Sequence, residues 1–153
     1  MFFQKGYFMI REARRDDLDG ILELYLFLHD TEIPNHDQHL SHVWDHILND
    51  PYYHLIVCEE EGRIVSSCTC LVVPNLTHGV RPYVLIENVV THEDYRGKGY
   101  ATKCLDYAKE IANANNCYKM MLMTGSKKPS TLKFYENAGY SSSDKTAFNQ
   151  KLQ

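Results

Sequence analysis

The segment YVLIENVV at 83–90 constrains the fold more than any other part of this chain. It is apolar at both alternating sets of positions and is interrupted only by Glu87 and Asn88. A strand with one wet face alternates between apolar and polar, whereas one covered on both faces reads as a near-continuous apolar run. The segment therefore predicts a central strand with a layer packed on each side.

Helical patterns to supply those layers lie on both sides of it. Asp16 can cap a helix whose apolar positions Leu18, Ile21, Leu22, Tyr25 and Leu28 step by three and four, until Pro34 breaks it. A second helix is expected near 38–49, carrying Leu40, Val43, Trp44, Ile47 and Leu48 and stopped by Asp50-Pro51. Ala101, Cys104, Leu105, Ala108, Ile111 and Ala112 form a third stripe that ends at Asn115-Asn116. Pro129 opens a short fourth helix through Tyr135, closed by Gly139. Further strands are expected at Phe8–Ala13, Tyr53–Glu59, Arg63–Val73, Tyr118–Met123 and Lys145–Leu152, the second and third of these joined by a Glu60–Gly62 turn. The order is β-α-α-β-β-β-α-β-α-β, a single α/β domain over 9–153 preceded by an extension at 1–8.

Charge narrows the partners. The chain of 153 residues carries a net charge of −4, so no global basic field recruits nucleic acid or a membrane surface. A polyanionic ligand would need local cations. The longest apolar run, LYLFL at 24–28, is far short of a membrane span. Five cysteines, odd in number and set inside apolar patterns, read as buried free thiols and suggest a reducing cytoplasm.

The chain leaves the central strand through THEDYRGKGY, where two glycines separated by a lysine precede a helix. Glycines there can serve the backbone alone, or they can clear space for a phosphate against free N–H groups. A P-loop needs G-x-x-x-x-G-K-[ST], and Tyr100 follows Gly99. A dinucleotide fingerprint needs a third glycine where Thr102 stands, and an acidic residue where Thr124 stands. Neither fits.

Arg96-Gly97-Lys98-Gly99-Tyr100-Ala101 does match [RQ]-x-x-G-x-[GA], and TLKFYENAGY at 131–140 supplies a tyrosine before N-A-G-[YF]. In these two segments the chain resembles the Gcn5-related N-acetyltransferases (GNAT), more loosely those acting on aminoalkylphosphonates and glucosamine 6-phosphate. The resemblance implies one GNAT-like domain with a mixed, mostly antiparallel sheet, and acetyl-CoA as co-substrate. It implies that Arg96, Gly97, Lys98, Gly99, Tyr100, Ala101 and Thr102 hold the pyrophosphate. Val89, Val90 and Thr91 would hold the pantetheine arm along a splayed strand edge, with a backbone N–H near Val89 polarising the thioester.

Direct acetyl transfer needs a neutral amine, and deprotonating an alkylamine of pKa near 10.4 at pH 7 costs about 4–5 kcal/mol. Glu87, a carboxylate inside an apolar strand, is the candidate base, either directly or through water; a structural carboxylate is the alternative. Tyr135 resembles the family's general acid, best read as a hydrogen-bond donor to the leaving thiolate; the alternative is a core aromatic. Asn88 is expected at a bulge.

For the acceptor, His29 and Asp30 at the end of the first helix are candidates, with Arg81 for an anionic tail. The segment 29–46 has acidic residues and histidines but no Lys or Arg, which favours a cationic amine. His39, His42 and His46 form one helical row that reads as a solvated face, and no metal site is expected. The expected activity is acetylation of a small primary amine, with a homodimer as an admissible assembly. A protein acetyltransferase and an inactive acyl-CoA-binding module are the other readings.

Overall fold

The computed structural model describes residues 7–153. Residues 1–6 of the expected extension lie outside the described residues, and the first strand already includes Phe8, one residue ahead of the boundary drawn at 9. Five strands form one sheet in the order β1 (Phe8–Glu12), β2 (Tyr53–Glu60), β3 (Arg63–Val73), β4 (Tyr83–Thr91) and β5 (Met120–Leu122). The first three pairings are antiparallel and β4–β5 is parallel. The β2–β3 turn has two residues, Glu61 at φ 50° and Gly62 at φ 82°. Two left-handed residues give a hairpin whose twist matches its strands, and glycine makes the second one easy.

The sheet is covered on both faces. Ile56, Cys58, Val65, Cys68, Cys70, Val72, Val84 and Ile86 face α4 (Tyr100–Ala114), whose Cys104, Leu105, Ala108 and Ala112 are buried against them. Leu55, Val57, Ile64 and Val90 face the other way, onto Ile21 and Leu24 of α1 (Leu18–Tyr25) and Trp44 of α2 (Gln38–Asn49). The residues of β2 split between the two cores by the twofold alternation of a strand. Helix α1 runs close to the sheet at Gly20, where a Cβ would stand 3.2 Å from Ile64 Cγ1. Trp44 Nε1 donates to the Arg15 carbonyl at 3.1 Å and so ties α2 to the turn before α1. The half-buried Arg11 guanidinium grips Asp17 and Glu59, both at 2.6 Å, and joins β1, β2 and that turn.

The four buried cysteines and the half-buried Cys117 are all free thiols. Burial pushes the thiols of Cys58, Cys70 and Cys104 up to between about 11 and about 12, which makes them packing groups rather than nucleophiles.

Several expected elements are shorter than their patterns. Helix α1 stops at Tyr25, and Leu28 continues only as a turn, its N–H donating to the Tyr25 carbonyl at 2.9 Å. Val43 lies on the exposed side of α2. Between β3 and β4, α3 (Thr77–Val80) is a single distorted turn containing left-handed His78 and Gly79. Helix α5 (Pro129–Asn137) ends as predicted at Gly139, whose φ is 98°. The strand expected at Lys145–Leu152 does not form: the segment is exposed and paired with nothing among the described residues. Its pattern suits a half-buried strand, but none of the described residues buries it.

Candidate active site

Strand β4 is held differently along its length. Val84, Leu85 and Ile86 pair with β5, and the pairing ends there. On the other edge β4 pairs with β3 throughout, with a register shift between Ser67 and Thr69. Ser67 faces Val90 and Thr69 faces Glu87, so β4 carries one extra residue opposite Cys68. This is the expected bulge, and Asn88 sits in it at φ 51°. From Glu87 to Thr91 the β5-side edge of β4 is unpaired, and the two parallel strands part there. Ser66 Oγ donates to the Val90 carbonyl at 3.0 Å and so holds the far side of the opened segment.

The chain then turns through a short 3-10 helix (Glu93–Tyr95) into the glycine corner. His92 is buried; its Nδ1 accepts from the Asp94 N–H at 3.1 Å and its ring packs on Phe27, with centroids 4.4 Å apart. Arg96 Nε donates to the Thr91 carbonyl at 3.2 Å and binds the corner to the strand it leaves. Gly97 and Gly99 have φ of 75° and 82°, a region other residues rarely adopt. Gly99 is the N-cap of α4, and no side chain caps the helix. The first N–H groups of α4 are therefore open donors at the positive end of the helix dipole. A Cβ on either glycine would meet nothing within 4 Å, so the space over the corner is clear.

The surrounding side chains hold this shape. Tyr100 is buried and its hydroxyl donates to Glu60 Oε1 at 2.6 Å, a bond that raises the phenol to about 12. It locks the corner to β2 and leaves only its backbone for a ligand. Lys98 lies over the Tyr95 ring at 4.8 Å and Lys103 over Phe8 at 4.9 Å, so two cations flank the open donors. Ala101 and Thr102 continue the first turn, half-buried.

Glu87 is half-buried at the start of the opened segment, and its carboxylate has no hydrogen-bond partner among the described residues. Tyr135 projects from α5 onto the α4-side core, edge-to-face with Phe134 and Tyr140 at 5.0 and 6.3 Å. Burial, with Cys68 nearby, raises its phenol above the ordinary value of 10. Cys68 is also the residue opposite the bulge, and it belongs to the core against which Tyr135 packs.

The acceptor candidates are not all brought together. His29 and Asp30 are exposed in the loop after α1. Arg81 lies just before β4, at the end where β4 and β5 are still paired. Its Nε and Nη2 donate to the Asn116 and Cys117 carbonyls at 3.0 and 3.1 Å. It anchors the chain leading to β5 and sits away from the opened segment. His39, His42 and His46 are exposed; His42 and His46 line a depression with Asp45, Asn49, Asp50 and Pro51, which includes no residue of the glycine corner. Among the described residues no group of three His, Cys, Asp or Glu side chains is placed to hold a metal.

Tyr25 was legible only as one member of an apolar stripe. In the fold burial, with Tyr53 nearby, raises its phenol to about 12, and it packs against the α1-side core that includes Val90 of β4. Thr69 Oγ1 is buried without a hydrogen-bond partner among the described residues. No local signal reveals this placement, because Tyr25 reaches the sheet only through the packing of α1.

Residues 18–140 match the acetyltransferase (GNAT) family. The chain belongs to the GNAT family. Among curated GNAT relatives, a glucosamine 6-phosphate N-acetyltransferase of Trypanosoma brucei brucei is 37% identical over 79 residues, 52% of each chain. An uncharacterized N-acetyltransferase of Methanocaldococcus jannaschii is 25% identical over 87% of this chain and 60% of its own length. The chain thus spans only about half to three-fifths of these curated relatives. Among solved structures, one from Agrobacterium tumefaciens assigned as an acetyltransferase superposes with a TM-score of 0.87 at 40% identity, covering 94% of this chain and 99% of that one. The glucosamine-6-phosphate N-acetyltransferase of Arabidopsis thaliana gives 0.84 at 23% identity, over 95% and 98%, which shows the shared GNAT fold.

Proposed function

We propose that this GNAT domain transfers the acetyl group of acetyl-CoA directly to a primary amine of a small molecule. One observation carries the reading: uncapped N–H donors at Gly99–Thr102 adjoin a strand edge left unpaired from Glu87 to Thr91. The corner suits a pyrophosphate and the open edge suits the amide-bearing pantetheine arm, which bonds to it as an added strand would. Arg96, Lys98 and Lys103 supply the local charge that a net −4 does not.

With the thioester at the bulge, a backbone N–H near Val89 polarises its carbonyl oxygen. The amine nitrogen attacks that carbonyl carbon, and the carbon–sulfur bond then breaks. Glu87 takes the amine proton, directly or through a water. The departing thiolate accepts a hydrogen bond from the Tyr135 hydroxyl, which burial keeps protonated at neutral pH. His29 and Asp30 border the acceptor side. The segment 29–46, with acidic groups and no Lys or Arg, favours a cationic substrate.

The test is acetyl-CoA titration followed by thiol release against amines that differ in one remote group: cationic, neutral or phosphonate. Saturable acetyl-CoA binding with amine-dependent release, fastest for the cationic amine, is the expected result. Binding without release from any amine would leave only an acyl-CoA-binding module. A phosphonate as best substrate would overturn the cationic preference alone.

A further inference from the structure

The layer of α1 and α2 covers only part of its face of the sheet. Register places Tyr53, Leu71, Leu85 and Met121 side by side on four neighbouring strands, β2 to β5. Their face is the one turned away from α4, because the alternate residues Val84, Ile86, Met120 and Leu122 pack into the α4-side core. Tyr53 packs against the α1-side core. Leu71, Leu85 and Met121 belong to neither core: the first two are half-buried and Met121 is 37% exposed. Apolar surface left wet in this way is unfavourable, so a ligand that covers it is held more tightly for doing so.

The row adjoins the polar end of the site. Glu87 follows Leu85 by two residues, so the two side chains leave the same face roughly 7 Å apart. Across from Glu87 in register stands Thr69, whose Oγ1 is buried without a hydrogen-bond partner among the described residues. Unpartnered polar groups therefore mark the end where the strand edge opens, and uncovered apolar side chains lead away from it.

We infer that the acceptor is a primary amine carried on an apolar body, which lies over Leu71, Leu85 and Met121 while its nitrogen reaches Glu87. This names the substrate class of the proposed acetyl transfer and rests on that reading. Neighbouring strands stand about 4.8 Å apart, so the three side chains span roughly 10 Å, enough for a phenyl ring or a short alkyl chain. Met121 suits such a body, because a thioether adapts to irregular surfaces and makes favourable contacts with aromatic rings. The acidic segment 29–46 acts on the charge of the substrate, and this floor acts on its body.

The test separates binding from turnover. Ethanolamine, butylamine, hexylamine and 2-phenylethylamine are titrated by equilibrium dialysis against the full chain with CoA, which has no acetyl group to transfer. Thiol release from acetyl-CoA is followed separately with the same amines. Affinity should rise by about two- to fourfold per methylene from butylamine to hexylamine. 2-Phenylethylamine should bind at least about tenfold more tightly than ethanolamine. Met121→Gln changes a side chain that is already 37% exposed, so the variant should fold, and it should shrink that ratio by at least about threefold. A series flat in body size would overturn the inference, as would a ratio that Met121→Gln leaves unchanged. Rising affinity without thiol release from any amine would instead remove the acetyl transfer and uphold the apolar amine as the ligand.

Discussion

The two halves of β4 are made from the same kind of residue and are held in different ways. Val84–Ile86 has a strand on each edge, with Val84 and Ile86 fully buried in the α4-side core and Leu85 half-buried on the other face. Glu87–Thr91 keeps only β3, carries the bulge at Asn88, and offers its other edge to whatever enters between β4 and β5. A backbone satisfied on both edges contributes stability and can bind nothing further. One satisfied on a single edge gives up ladder bonds and gains a place to bind. The same strand is paired on both edges up to residue 86 and on one edge beyond it.

That contrast predicts stability effects in the first half and kinetic effects in the second. The largest is expected for Ile86→Ala, which deletes a side chain buried between β4, α4 and β3 and should cost about 2–5 kcal/mol in urea unfolding. A loss under 1 kcal/mol would mean that the paired half is not the rigid one. In the open half, Glu87→Gln should lower turnover by roughly a hundredfold and remove the acidic limb of the pH–rate profile, with unfolding little changed. A limb that stays in place would reject Glu87 as the base.

Tyr135→Phe should reduce kcat by about 10–100-fold at unchanged acetyl-CoA affinity, since only a hydrogen bond to a developing charge is lost. Because burial raises the Tyr135 phenol above 10, any alkaline limb from its ionisation should appear above pH 10 and be absent in the variant. The sign for stability is the same. The folded-state value is the raised one, so this contribution is intact below pH 10 and is lost as pH rises through the folded value. A limb near pH 8 that vanishes with the hydroxyl would contradict the burial.

Gly99→Val should weaken acetyl-CoA binding at least about tenfold, near 1.4 kcal/mol, measured by calorimetry on folded protein. A left-handed β-branched residue is strained as well, so the melting temperature should also fall. Retained affinity would remove the corner from the cofactor site. The smallest effect concerns the bulge. Asn88→Ala should cost about 1 kcal/mol of stability and Asn88→Gly almost none, because only the alanine resists a positive φ. Equal costs would show that the Asn88 side chain, not its backbone, holds the bulge.

Much of this was legible before folding, where the signal was local. The apolar run at 83–90, the stripe from Ala101 to Ala112 and the Gly97/Gly99 corner each record a short-range rule. The structure makes the first a strand inside the sheet, buried at Val84, Ile86 and Val90 and half-buried on much of its other face, and places the helix and the corner as those rules require. The bulge was also foreseeable, because Glu87 and Asn88 break an otherwise apolar strand. Arg81 shows the limit of such signals. Its charge suggested an anion partner, while its position before β4 gave it two backbone carbonyls to satisfy instead.

What the sequence by itself determined was the identity of most elements and the glycine corner after β4, since periodicity and turn residues act within a few residues. Only the tertiary structure decided where β4 loses its second neighbour. It also decided that Tyr25 packs against the α1-side core and that 145–152 pairs with nothing among the described residues. Those outcomes depend on which surfaces are left after distant segments have packed. A strand pattern states that a face must be covered, but not which layer is there to cover it.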